Sequence, residues 1–189
     1  MTAAGLLAIA AGPAKADDAP WTGFTTEIGS ATFDTSAPGK TNITQNGSLY
    51  VGTSGNLDIP ENYWVNIDQG SRAAIFAAKA APDADPTRIL GRISADGRIV
   101  IIDRNGVFFG QNSQIDVSGI VATTGDISND QFADKSFGEY TISNVNEGAI
   151  ELHGLVSVSD AGLAAFVAPS VANSGVINAV PPTDFSMAP

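Results

Sequence analysis

A short pattern recurs along the second half of the sequence: a glycine, two large aliphatics, then a small or polar residue. It stands at Gly119-Ile120-Val121-Ala122, Gly154-Leu155-Val156-Ser157 and Gly175-Val176-Ile177-Asn178. The second and third copies begin 21 residues apart. The first and second begin 35 apart, with the polar stretch Asn129 to Tyr140 between them. A unit of about 20–25 residues cannot bury its apolar side alone and must stack on its neighbours, as solenoid coils do. The pattern therefore predicts stacked coils, one of them carrying an insertion. It places Ile99, Ile101, Val107, Ile120, Leu155, Val156, Val176 and Ile177 mostly in the core.

The rest of the chain reads as short strands. Thr41-Asn42-Ile43-Thr44-Gln45 alternates polar and apolar residues, and Asn46-Gly47 after it predicts a tight turn before Ser48 to Val51. Ile99-Val100-Ile101-Ile102 is apolar without interruption, as a strand covered on both faces would be. Asn105-Gly106 turns into Val107-Phe108-Phe109. Ser71 to Ala81 is the one stretch with helical composition, and it reads equally as a strand followed by a loop, because Pro82 and Pro86 close it. The 20 glycines, and Asn, Ser, Thr, Ile and Val throughout, suit strands and turns better than long helices.

Charge narrows the function. Charged residues make up 15% of the chain, and 20 acidic against nine basic ones leave a formal net charge of −11. A nucleic-acid binder shows a basic stripe. Here the densest basic stretch, Arg88, Arg92, Arg98 and Arg104, is interrupted by Asp96 and Asp103, which predicts a solvated, internally paired face and no nucleic acid. The chain has no cysteine, so disulfides, thiolate metal sites and thiol catalysis are excluded.

At the N-terminus, Leu6 to Ala11 is a short apolar run broken by Gly12-Pro13. Ala14-Lys15-Ala16 then presents small residues at the two positions that a signal peptidase reads. The run is too short to span a bilayer. Residues 1–16 are thus expected to be the remnant of a signal peptide whose basic start lies upstream, cleaved at the Ala14/Ala16 site. Residues 17–180 form the expected domain, and 181–189 a tail that opens on Pro181-Pro182.

Candidate chemistry is sparse. Asp34 to Thr41 is close to a phosphate-binding loop but lacks its first glycine and a following helix, so a Pro-Gly turn into a strand is expected. His153, the sole histidine, has no partner signature for a metal site or a nucleophile relay. Asp58/Glu61 and Asp83/Asp85 are the nearest carboxylate pairs, all in turn-like segments. No catalytic residue, metal site or cofactor is assigned.

The segment Arg88-Ile89-Leu90-Gly91-Arg92-Ile93-Ser94-Ala95-Asp96-Gly97-Arg98, continuing through Ile99-Val100-Ile101-Ile102-Asp103-Arg104-Asn105-Gly106 to Val107-Phe108-Phe109-Gly110, resembles the signature of the filamentous haemagglutinin family's N-terminal secretion domain. Ile115 to Thr124 and Asp126-Ile127-Ser128 are similar to its high-molecular-weight adhesin branch. Thr41 to Asn46 resembles an early strand, and Gly154-Leu155-Val156 and Val171 to Ile177 its first helical repeats. The resemblance runs in order over residues 30–180. It implies an all-β, right-handed parallel β-helix with an N-terminal β cap over residues 20–60. It also implies a non-enzymatic role in two-partner secretion: export by the Sec route, recognition by an outer-membrane β-barrel transporter, and nucleation of β-helix folding at the cell surface. An adhesin would further bind a ligand on a host or neighbouring cell. The family's Asn-Pro-Asn-Gly turn, implicated in secretion, maps onto Asp103, Asn105 and Gly106, with Arg104 in place of the proline. Family members continue into long repeats, so the chain is expected to be a fragment, a truncated product or a minimal domain. The competing reading is a stand-alone β-helix that binds or cleaves carbohydrate.

Overall fold

The computed structural model describes residues 19–134, 137, 139–145, 147–159 and 162–180. The predicted signal-peptide site at Ala14 and Ala16 and the tail 181–189 lie outside the described residues. The chain opens on β1 (Thr25–Asp34), which pairs antiparallel with the long β2 (Lys40–Ser54). From β2 onward the chain winds as a parallel β-helix with three faces. The first face carries the N-terminal half of β2, then β3 (Trp64–Asp68), β6 (Arg92–Ala95), β9 (Gln114–Val117), β12 (Leu155–Ser159) and β15 (Val176–Val180). The second carries the C-terminal half of β2, then β4 (Ile75–Ala80), β7 (Arg98–Ile102), β10 (Gly119–Thr123) and β13 (Ala164–Val167). The third is β5 (Thr87–Ile89), β8 (Val107–Phe109), β11 (Ala149–Leu152) and β14 (Ser170–Asn173), with Ile59 bridged to Ile89. The single helix among the described residues, α1 (Asn129–Asp134), lies in the segment between β10 and β11, where the polar stretch predicts an insertion.

Two sequence expectations need correction. Asn46-Gly47 does not break the chain into two strands. Gly47 takes a φ of +93° inside β2, and the strand bends around a corner of the helix there, pairing with β3 before the bend and with β4 after it. Only residues 19–39 are therefore purely cap; the first coil starts at Lys40. The register of the repeat also differs from the expected one. Leu155 does stack on Val176, 21 residues away. The Gly119 copy belongs to another face, where Ile120 stacks between Ile99 and Ala164. Local sequence is alike on two faces because each strand turns the same kind of corner.

The interior is a ladder of aliphatics. Val65, Ile93, Ile115 and Val156 occupy one register position on the first face and are all buried. Of the eight expected core residues, Ile99, Ile101, Val107, Ile120 and Val156 are buried. Leu155 is half-buried and points outward by strand alternation. Val176 and Ile177 are 54% and 40% exposed, since among the described residues nothing stacks on β15.

The uninterrupted run Ile99–Ile102 has the predicted cause. Ile99 and Ile101 face the interior, while Val100 and Ile102 join a second apolar cluster outside the helix. The insertion forms that cluster's cover with Ile127 and Phe132, assisted by Phe137, Tyr140 and Ile142. Burial pushes the Tyr140 hydroxyl up to about 12 despite the nearby Arg98. Ser71–Ala81 resolves as a strand, because β4 contributes Ile75 and Ala77 to the outer cluster and Phe76 and Ala78 to the inner one. At the N-terminal end, Trp21 plugs the helix. Its ring stacks on Phe76 at 6.1 Å and its Nε1–H donates to Leu57 O at 2.9 Å.

Candidate recognition turn

The turn between β7 and β8 is built by one buried carboxylate. Asp103 is 1% exposed. Its Oδ1 accepts the Asn105 amide at 2.9 Å, closing a local side-chain turn. Its Oδ2 accepts both the amide and the hydroxyl of Thr87, at 2.8 and 2.7 Å, from the strand one coil earlier. Gly106 N–H donates to Asp103 O at 3.1 Å, and Gly106 sits at a φ of +130°, where a side chain is strained. Asn105 supports the turn through its side chain, whose Nδ2 donates to Ala84 O at 2.7 Å. The positive φ of the turn thus falls on Gly106, and Asn105 has none.

The sequence brings Asp103, Asn105 and Gly106 together as expected, but the fold hides two of them. Asp103 and Gly106 are buried, Asn105 is half-buried, and Arg104 is exposed. Burial raises the Asp103 carboxyl above the usual carboxylate range against its hydrogen bonds from Thr87 and Asn105, and Asp58 adds repulsion. Asp58 is pushed up by burial as well, although its Oδ1 accepts the Arg88 amide at 2.6 Å. Two carboxylates thus bracket β5 from successive coils. Sequence reasoning missed Thr87 and Asp58 in this network, since their register opposite the turn is set only by coil stacking.

The other sequence candidates take ordinary roles. Asp58 is engaged with β5 rather than facing Glu61 as a pair. The Pro-Gly stretch turns into β2, with Lys40 N–H donating to Ala37 O at 3.2 Å. His153 lies on the outside of the third face, with Ser174 Oγ 2.6 Å from Nδ1 and Glu151 Oε2 3.3 Å from Nε2. The arginines do not pair with the interrupting aspartates. Arg88, Arg92 and Arg98 instead stand over Phe108, Trp64 and Phe137, at 4.9, 4.8 and 5.0 Å, and Asp96 accepts the Gln69 amide. Among the described residues no group of histidine and acidic side chains has the arrangement of a metal site.

A family model for the TPS secretion domain matches residues 41–183. The chain belongs to the TPS secretion domain family. Among solved structures, the secretion domain of HMW1 from Haemophilus influenzae superposes with a TM-score of 0.74 at 23% identity, over 83% of this chain and 41% of that one. This chain therefore spans less than half of that protein chain, and the likeness concerns the fold. No curated protein sequence matches the chain. As a TPS secretion domain, the chain is a secretion and targeting module, and the turn at Asp103–Gly106 closes a corner of its helix.

Proposed function

We infer that this domain is the N-terminal targeting module of an exported adhesin, read in the periplasm by an outer-membrane β-barrel transporter. The turn at Asp103, Asn105 and Gly106 contributes to that reading before the domain folds. The supporting observation is the burial of Asp103 and Gly106: a transporter cannot touch these groups once the coils have stacked, so contact with them belongs to the extended chain. Folding outside the cell withdraws the turn and lays down a parallel edge on which further coils add, which gives export a direction without nucleotide hydrolysis. Cleavage of a signal peptide at Ala14/Ala16, Sec export and a ligand on a host or neighbouring cell complete this reading.

The test is secretion in a cell carrying the cognate transporter. Gly106→Val combined with Asn105→Ala is expected to abolish secretion. It strains a position at φ +130° whose added Cβ would meet Ala149 O at 3.0 Å, at about 1–3 kcal/mol. Binding of the chain, held unfolded in urea, to the transporter's periplasmic region separates recognition from folding. Weakened binding of the unfolded double variant supports recognition. Unchanged binding assigns the turn to folding alone.

A further inference from the structure

The chain contains Asn-Gly twice, at Asn46-Gly47 and Asn105-Gly106, and the fold places the two in different surroundings. In such a pair the backbone nitrogen of the glycine can attack the side-chain carbonyl carbon of the asparagine, because the closure is intramolecular and no Cβ on the glycine obstructs it. At Asn105-Gly106 both reacting groups are held. The Gly106 nitrogen donates to Asp103 O at 3.1 Å. The Asn105 carboxamide donates to Ala84 O at 2.7 Å, and the Asn105 amide to Asp103 Oδ1 at 2.9 Å. Gly106 is buried, and a Cβ built on it would meet Ala149 O at 3.0 Å. At Asn46-Gly47 these restraints are missing. Both residues are exposed, and nothing lies within 4 Å of a Cβ built on Gly47. Among the described residues no hydrogen bond holds the Asn46 carboxamide. Pairing with β3 ends at Thr44 and pairing with β4 begins at Leu49. On β1 the register passes from Ser30–Asn46 to Ile28–Val51, so Gly47 has no register partner on a neighbouring strand. Gln45 Nε2 donates to Gly47 O at 3.0 Å, which belongs to the following peptide group and leaves the Asn46–Gly47 peptide to turn.

We propose that Asn46 is a self-modification site of the folded domain: it deamidates through a cyclic imide, while the same dipeptide at Asn105 is preserved. The Gly47 nitrogen forms a bond to Asn46 Cγ, the Cγ–Nδ2 bond breaks, and ammonia leaves with the Gly47 proton. Water then opens the imide. Addition at Cγ gives aspartate. Addition at the Asn46 backbone carbonyl gives isoaspartate, whose main chain runs through the former side chain. Either product adds a negative charge, and isoaspartate adds one atom to the backbone. The corner between the two halves of β2 takes up that atom, since no ladder pair includes Gly47 or Ser48. The site is independent of the secretion reading.

Incubation of the full chain at mildly alkaline pH, folded and again in urea, tests it, with peptide mass mapping at both asparagines and enzymatic methylation of isoaspartate as readouts. In the folded chain Asn46 is expected to gain the mass of the amide-to-acid exchange and to accept methyl groups. It is expected to react about tenfold or more faster than Asn105, where attack must first break the hydrogen bonds of the turn. In urea the two sites are expected to react at similar rates, because only the local sequence then acts. Asn46→Gln lengthens an exposed side chain and removes the favourable ring closure, so the folded variant is expected to lose the methylation. Folded-state conversion of Asn105 as fast as that of Asn46 would overturn the proposal. So would an Asn46 that reacts only in urea, conversion to aspartate without isoaspartate, or a folded Asn46→Gln variant methylated as well as the parent.

Discussion

At the scale of single residues, the strongest constraint is a carboxylate placed where water does not reach. Asp103 holds three donors from two coils, and burial still raises its pKa in the folded state. The folded domain therefore takes up the Asp103 proton more readily than the unfolded chain. The associated stability is fully present below the unfolded carboxylate pKa and is lost as pH rises through the raised, folded one. Asp58 acts in the same direction, whereas Glu27 acts in the opposite one. Burial pushes Glu27 up, but hydrogen bonds from Thr53, Asn129 and Lys79, with the Lys79 charge, together hold it lower. Urea midpoints measured from mildly acid to neutral pH are expected to fall less with rising pH in Asp103→Asn than in the parent, and equal slopes would refute this assignment. Arg104 occupies the second position of a turn closed by the Gly106 amide, where proline is favoured. Arg104→Pro is thus expected to stabilise by about 0.4–1 kcal/mol through the unfolded state, read as a raised urea midpoint.

At the scale of elements, corners matter as much as strands. The residues that open the first-face strands form a column: Tyr63, Gly91, Ser113, Gly154 and Gly175. Each strand's first amide donates to the corner carbonyl of the coil before it, from Arg92 to Tyr63, Gln114 to Gly91, Leu155 to Ser113 and Val176 to Gly154, at 2.8–3.2 Å. A Cβ on Gly154 would lie 2.1 Å from Ser113 Oγ and 2.6 Å from the carbonyl oxygens of Gly110 and Ser113. The glycines of the repeat are therefore spacing residues, needed because backbone passes directly over backbone. Gly154→Ala is expected to cost about 1–3 kcal/mol, as overpacking does, while Gly55→Ala, which meets nothing within 4 Å, stays within about 0.5 kcal/mol. Thermal unfolding of the two variants provides the comparison. A similar effect from both would show that the corner relaxes freely.

At the scale of the molecule, stability is distributed unevenly along the helix axis. The N-terminal end is closed by β1 and the Trp21 plug, and the second face is sealed by the insertion. Toward β15 the cover thins, with Val171, Val176 and Ile177 between 40% and 54% exposed. A repeat architecture gains from each neighbouring interface, so the last coil lacks one such contribution among the described residues. Hydrogen exchange is expected to show strong protection over residues 98–110 and weak protection over 171–180, with opening that spreads from β15 toward β12. Equal protection in a monomeric sample would mean that the last coil is capped by groups outside the described residues.

Much of this architecture was legible before folding. The 21-residue step between Gly154 and Gly175, the apolar run at Ile99–Ile102 and the turn chemistry of Asn105-Gly106 specify short strands, tight corners and a strand buried on both sides, because strand alternation and glycine's conformational freedom are local properties. Register was not legible. Whether Gly119 stacks under Gly154 or one face away, whether Asn46-Gly47 ends a strand or bends it, and whether Asp103 meets a neighbouring arginine or Thr87 all depend on which residues one full coil apart come into contact. Coils of unequal length change that pairing without leaving a local trace: the step from Trp64 to Arg92 is 28 residues and that from Arg92 to Gln114 is 22. Side-chain chemistry and strand alternation, both local, set the kind of strand and corner; which carboxylate is buried, which arginine meets which ring and which face the insertion covers follow from the stacking of coils.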